Sequence, residues 1–80
     1  MQLKDARIGD VCVVEAMDLP FRLKHRLEAL GMTLGTPVSV FNRKGKGIMI
    51  VRVRGTNFAL GRNITANIKV RCAEGERKDA

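Results

Sequence analysis

Aromatic side chains are scarce in this chain, which has no Trp, no Tyr and only Phe21, Phe41 and Phe58. Proteins that stack unpaired bases, or grip proline-rich peptides, line their grooves with such rings, so the scarcity argues against both uses. Histidine is scarcer still. His25 stands among Arg22, Lys24 and Arg26, with no serine or cysteine near it in sequence to serve as a nucleophile, and reads as a solvated surface residue rather than a catalytic one. Long apolar runs are also missing. No stretch approaches the roughly 20 residues needed to cross a bilayer, and Met1-Gln2-Leu3-Lys4-Asp5 lacks the basic and apolar regions of a secretory signal. Taken as full length, the chain is expected to be cytoplasmic and not to insert into a membrane directly.

Cysteine is limited to Cys12 and Cys72, too few for the disulfide framework of a small secreted domain. No Cys-x2-Cys or His-x3-His pair offers the close ligand spacing that metal sites are built on. Cys12 and Cys72 would meet only if the first and last strands pair, and His25 or an acid would have to join them to hold an ion such as ferrous iron. The expectation is two small buried hydrophobes, because free cysteine is among the most buried residue types. Neither a cofactor nor a metal ligand set is expected.

Acidic residues are absent from the middle of the chain. Five of the eight lie at or before Glu28 and three at or after Glu74. Between them come Arg43, Lys44, Lys46, Arg52, Arg54, Arg62, Lys69 and Arg71, which supply much of the net charge of +7. Such a one-signed region attracts an anionic partner and speeds encounter with it.

Eighty residues make one small domain without room for a deep catalytic cleft. After an N-terminal arm ending in a turn at Gly9-Asp10, the β-branched run Val11 to Val14 predicts a strand. Asp18 is placed to cap a helix that Pro20 enters without losing a hydrogen bond. Leu23, Leu27 and Leu30 stripe that helix of about eleven residues, and Gly31 ends it through a left-handed conformation. Such a short helix is not stable alone, so its stripe is expected to dock on the strands.

Further strands are predicted at Thr36 to Asn42, Ile48 to Arg54, Phe58 to Leu60 and Ile68 to Arg71, with one helical turn over Ile64 to Asn67. Within the strand at Ile48, alternation gives Met49, Val51 and Val53 to the core, because burying Arg52 and Arg54 unpaired would cost several kcal/mol each. Ile48 and Ile50 then lie outside with a basic rim. Five short strands and tight turns suggest a mainly β fold, a small barrel with one inserted helix. Residues 73–80 are expected to form a frayed tail after a domain at residues 1–72.

The Gly45-Lys46-Gly47 loop lacks the pattern of a nucleotide-binding loop and reads as a hairpin turn. As a basic hairpin beside Arg43, Lys44, Arg52 and Arg54 it keeps open an RNA-binding module as the alternative function.

The run Leu23-Lys24-His25-Arg26-Leu27-Glu28-Ala29-Leu30-Gly31-Met32, with Gly35 and Val38-Ser39-Val40 after it, resembles the FeoA family. Val51-Arg52-Val53-Arg54-Gly55, Phe58-Ala59-Leu60 and Ile68-Lys69-Val70 continue the likeness over nearly the whole chain except its tail. Leu34 departs from the proline, and Thr65 from the alanine, that the family often carries there. The resemblance implies an SH3-like barrel and a non-enzymatic role beside FeoB, the membrane transporter of ferrous iron, whose cytoplasmic GTP-binding part is the implied partner. A location at the inner membrane through that partner would follow. The expected contact surface is Ile48 and Ile50 with Arg43, Lys44, Lys46, Arg52, Arg54 and Arg62. The helix face bearing Arg22, His25 and Arg26 is the second candidate.

Overall fold

Alternating β-branched and apolar residues build five strands, β1 (Val11–Met17), β2 (Pro37–Lys44), β3 (Ile48–Val53), β4 (Thr56–Leu60) and β5 (Ile68–Cys72). The computed structural model describes residues 1–72, so the expected tail, 73–80, lies outside the described residues. The strands form one antiparallel sheet in the order β4-β3-β2-β1-β5. This is the mainly β architecture expected, with helix α1 (Phe21–Ala29) between β1 and β2 and the single turn α2 (Arg62–Thr65) between β4 and β5.

One face of every strand enters a common core. Cys12 and Val14 of β1, Val38 and Val40 of β2, Met49, Val51 and Val53 of β3, Leu60 of β4, and Ile68 and Val70 of β5 are all buried there. The start of the chain contributes too, since the short turn Leu3–Asp5 buries Leu3 and the next residue, Ala6, is also enclosed. Met1 accepts a hydrogen bond from the Val70 amide at 2.7 Å and donates its amino group to the Val70 carbonyl at 3.1 Å. The arm therefore covers the free edge of β5, which would otherwise present unpaired backbone groups.

Two bulges break the alternation. Between Val14 and Ala16 the register with β5 slips by a residue, which returns Met17 to the core. Between Val40 and Asn42 the register with β3 slips likewise, leaving Phe41 as the extra residue. Beyond it, Arg43 stands opposite buried Met49, while Asn42 and Lys44 stand opposite Ile50 and Ile48.

Helix α1 ends as its glycine requires. Gly31 has φ of +107°, its amide bonds the Glu28 carbonyl at 3.0 Å, and the Met32 amide bonds the Leu27 carbonyl at 3.0 Å. These are the two bonds of a Schellman motif, and Leu27 and Met32 at its ends are both buried, the apolar contact that accompanies it. Three expectations need correction. Asp18 does not cap the helix, because Pro20 takes the capping position and no side chain bonds the first amides; the Asp18 amide instead bonds the Asn67 carbonyl. Leu27 alone of the stripe is buried, with Leu23 intermediate and Leu30 47% exposed, because the chain turns into the core at Met32 rather than along the helix. The single helical turn starts at Arg62, earlier than expected, since Gly61 supplies the extended residue before it.

The reading of the cysteines is also corrected. Pairing of β1 with β5 sets Cys12 opposite Cys72 with their Cα atoms 3.9 Å apart, and the two form a disulfide rather than a pair of free buried thiols. The tight hairpin between β3 and β4 has Arg54 and Gly55 at its centre, both with positive φ, as a type I′ turn demands.

These contacts set the cost of three changes. A Cβ on Gly31 would sit 2.8 Å from Cδ of Arg54, so Gly31→Ala is expected to lose about 2 kcal/mol in urea unfolding from left-handed strain together with that clash. Gly45→Ala, with nothing within 4 Å, should lose about 1 kcal/mol from strain alone. Reducing the disulfide, which links residues 60 apart in sequence, should lower stability by roughly 4 kcal/mol through the freedom returned to the unfolded chain.

Candidate functional site

The bulge at Phe41 distributes the basic residues of the hairpin over two sides of the sheet. Directly opposed residues share a face, so Lys44, Ile48, Asn42 and Ile50 stand together on the outer side, and Ala59 lies opposite Ile50 on β4. Ile48 is 39% exposed and Ile50 half-buried. Arg52, opposite Asn57, lies on the same side. Its guanidinium sits 5.0 Å from the centre of the Phe41 ring, and its Nε donates to Oδ1 of Asn57 at 3.0 Å. Cation–π contact and hydrogen bond together hold Arg52 against the sheet. The result is a half-apolar patch with a fixed cation at one end and Lys44 at the other.

The other expected residues are placed elsewhere. Arg43 reaches beneath the hairpin and donates Nη2 to the Lys4 carbonyl at 2.8 Å and also to the Ala6 carbonyl, which ties the N-terminal arm to β2. Arg43, Lys46 and Arg62 line a cleft of about 540 Å³ with Lys4 and Met49, separate in direction from Ile48 and Ile50. Arg54 turns toward Gly31 and lines a groove with Thr33, Ser39 and Arg52. The structure thus brings together Lys44, Ile48, Ile50 and Arg52, and separates Arg43, Lys46 and Arg62 from them.

The second expected surface divides as well. Arg22 and Arg26 line a shallow pocket with Pro20 and Leu23, whereas the His25 ring stacks on that of Phe21 at 5.8 Å. Phe21 is 82% exposed. Among the described residues the ion pairs are Lys4 with Asp5 and Arg71 with Glu15, so Lys44, Arg52, Arg22 and Arg26 are not neutralised within them.

Phe41, Ala59 and Phe21 are missing from the residues singled out in the sequence. Strict alternation after Val38 and Val40 already sends Phe41 outward, and that was the available signal. Ala59 carried none, because it joins the patch only through its register with Ile50.

Known proteins share this fold. A family model described as the FeoA domain matches residues 1–72. A protein of Methanocaldococcus jannaschii provisionally named Fe(2+) transport protein A is 30% identical over 69 residues, which is 86% of this chain and 83% of that one. The solution structure of FeoA from Chlorobium tepidum superposes with a TM-score of 0.85 at 25% identity, covering 90% of this chain and 70% of that one. FeoA of Stenotrophomonas maltophilia, crystallised with zinc and described as a prokaryotic SH3 domain protein, gives 0.74 at 25% identity over 89% of each chain.

Neighbouring cations on opposite sides of the sheet should behave differently when removed. Arg43→Ala is expected to lower stability by about 1 to 2 kcal/mol in urea unfolding, through the hydrogen bonds that anchor the arm. Lys44→Ala, exposed and free of such bonds in the described residues, should change it by less than about 0.5 kcal/mol.

Proposed function

The chain belongs to the FeoA family, and on that premise we propose that it is a non-enzymatic accessory protein of ferrous iron transport that binds the cytoplasmic GTP-binding part of a FeoB-type transporter. The observation that supports this reading is the outer face of β2, β3 and β4. Phe41, Ile48 and Ile50 offer apolar area there, and Arg52 is held in place by Phe41 and Asn57. Binding energy concentrates where a few apolar and arginine anchors are already ordered and can be fully desolvated, so little freedom is lost on docking. Lys44 and the acid-free hairpin supply long-range attraction to an acidic surface, which raises the rate of encounter more than the strength of the complex.

Among the described residues no helix is long and apolar enough to cross a membrane. On this reading the protein works in the cytoplasm and comes to the inner membrane through its partner. FeoA of Stenotrophomonas maltophilia is described as a candidate ferrous iron transport activating factor, and modulation of transporter assembly or activity is the role proposed here.

The test is binding of the purified protein to the transporter's cytoplasmic domain by calorimetry, with random RNA as competitor. Ile50→Asp and Arg52→Glu are each expected to weaken binding at least about 30-fold, the effect of losing an interface anchor, while Arg22→Glu with Arg26→Glu leaves it unchanged. RNA should not displace the partner. Loss of binding in the helix variant with retention in the sheet variants would move the interface to α1, and binding of RNA alone would replace the adaptor with an RNA-binding module.

A further inference from the structure

At the end of the core where the first and last strands meet, Asp10, Cys12 and Cys72 converge. A carboxylate oxygen and the two sulfur atoms all lie within 4.8 Å of one another. Asp10 is only 3% exposed, Cys12 is fully enclosed and Cys72 is half-buried. The Asp10 carboxylate is not loosely placed. Its Oδ2 accepts the Arg7 amide at 2.9 Å across the turn at Gly9, and the Asp10 backbone carbonyl accepts the Val40 amide at 2.9 Å. β1 and β5 set the cysteines face to face in their own ladder, so backbone pairing places the two positions opposite each other whether or not the sulfurs are bonded.

We propose that, when the Cys12–Cys72 disulfide is reduced, the two thiolates and the Asp10 carboxylate form a binding site for one thiophilic divalent cation, zinc or ferrous iron, and that oxidation closes it. Two thiolates and one carboxylate suit these borderline ions and disfavour magnesium and calcium, which take oxygen ligands. Sulfur bonds of about 2.3 Å in a tetrahedral site put two ligand sulfurs roughly 3.8 Å apart. Facing strand positions with Cα atoms 3.9 Å apart reach that separation by side-chain rotation, with the ladder kept. Three protein ligands leave a fourth position open, and half-buried Cys72 marks the side from which the ion enters. This site is independent of the outer sheet face and does not rest on the proposed transporter contact.

The chemistry balances with a dithiol as reductant. Its thiolate attacks one sulfur of the disulfide, and its second thiol completes the exchange. Cys12 and Cys72 gain two electrons and two protons and the reductant leaves as its own disulfide. Coordination then displaces the two thiol protons to solvent as two thiolate–metal bonds form. Re-oxidation requires release of the ion and a disulfide-bearing oxidant to accept the two electrons. The pair that cross-links β1 to β5 covalently in one state would cross-link them through the ion in the other.

The probe is cobalt(II), followed by competition with zinc, on the full chain reduced with a dithiol that is then removed under anaerobic conditions. The reduced protein should develop sulfur-to-cobalt charge-transfer absorption that saturates at one ion per chain, zinc should abolish it, and the oxidised protein should show none. Cys72→Ser should lose the absorption. Asp10→Asn, which keeps an oxygen for the Arg7 amide, should weaken binding at least about tenfold, since even outer partners of metal ligands are worth that much. Circular dichroism of both variants establishes that they fold. No charge-transfer absorption in folded, reduced protein would overturn the proposal, as would unchanged affinity in Asp10→Asn or equal binding by the oxidised form.

Discussion

β1 and β5 pair across 60 residues of chain, with Cys12 facing Cys72, and this closure sets the rest of the domain. A chain of this size has few large side chains with which to build a core, and here the three phenylalanines are all outside the fully buried set. Its core is mostly valine, methionine, leucine and isoleucine, the larger part laid down by strand alternation, and that layer is continuous only when the last strand lies against the first. Met1 then pairs with Val70 on the far side of β5. The beginning of the chain thus both receives the end and covers its edge, which leaves less unpaired backbone open to other chains.

Closure also gathers polar chemistry that has no local origin. Asp10, Cys12 and Cys72 come from a turn, a first strand and a last strand, yet their ligand atoms share a small volume. The loop the disulfide closes is nearly the whole domain, so the covalent bond acts on one of the longest-range contacts in the fold, where constraint of the unfolded chain is large.

On the opposite side of the sheet, a single extra residue decides the electrostatic surface. The bulge at Phe41 turns Arg43 toward the arm and leaves Lys44 beside Ile48 and Ile50. Without it the two cations would exchange faces, because side chains alternate with a period of two along a strand. Eight basic residues between Ala29 and Ala73 therefore do not make one positive surface. Some fasten the structure, as Arg43 does, some pack against a turn, as Arg54 does at Gly31, and Arg52 with Lys44 remains exposed on the half-apolar outer face.

Local physics accounts for what was legible in the sequence. The order of strands and helix, the inward set Met49, Val51 and Val53, the outward Ile48 and Ile50, and the helix stop at Gly31 all follow from alternation and from glycine's freedom at positive φ, which act within a few residues. The family resemblance likewise rests on the spacing of those same turn and core positions. What the sequence left open depended on pairing between distant segments. Leu30 faces solvent because Met32 takes the place in the core, Asp18 bonds Asn67 instead of capping α1, and Cys12 meets Cys72 instead of remaining a buried thiol. Residue types and their local period determined which elements form and which side of each is apolar. Only the tertiary structure decided the register at the two bulges and the partners across the closure, because a shift of one residue leaves local propensities unchanged while reversing what every later side chain meets.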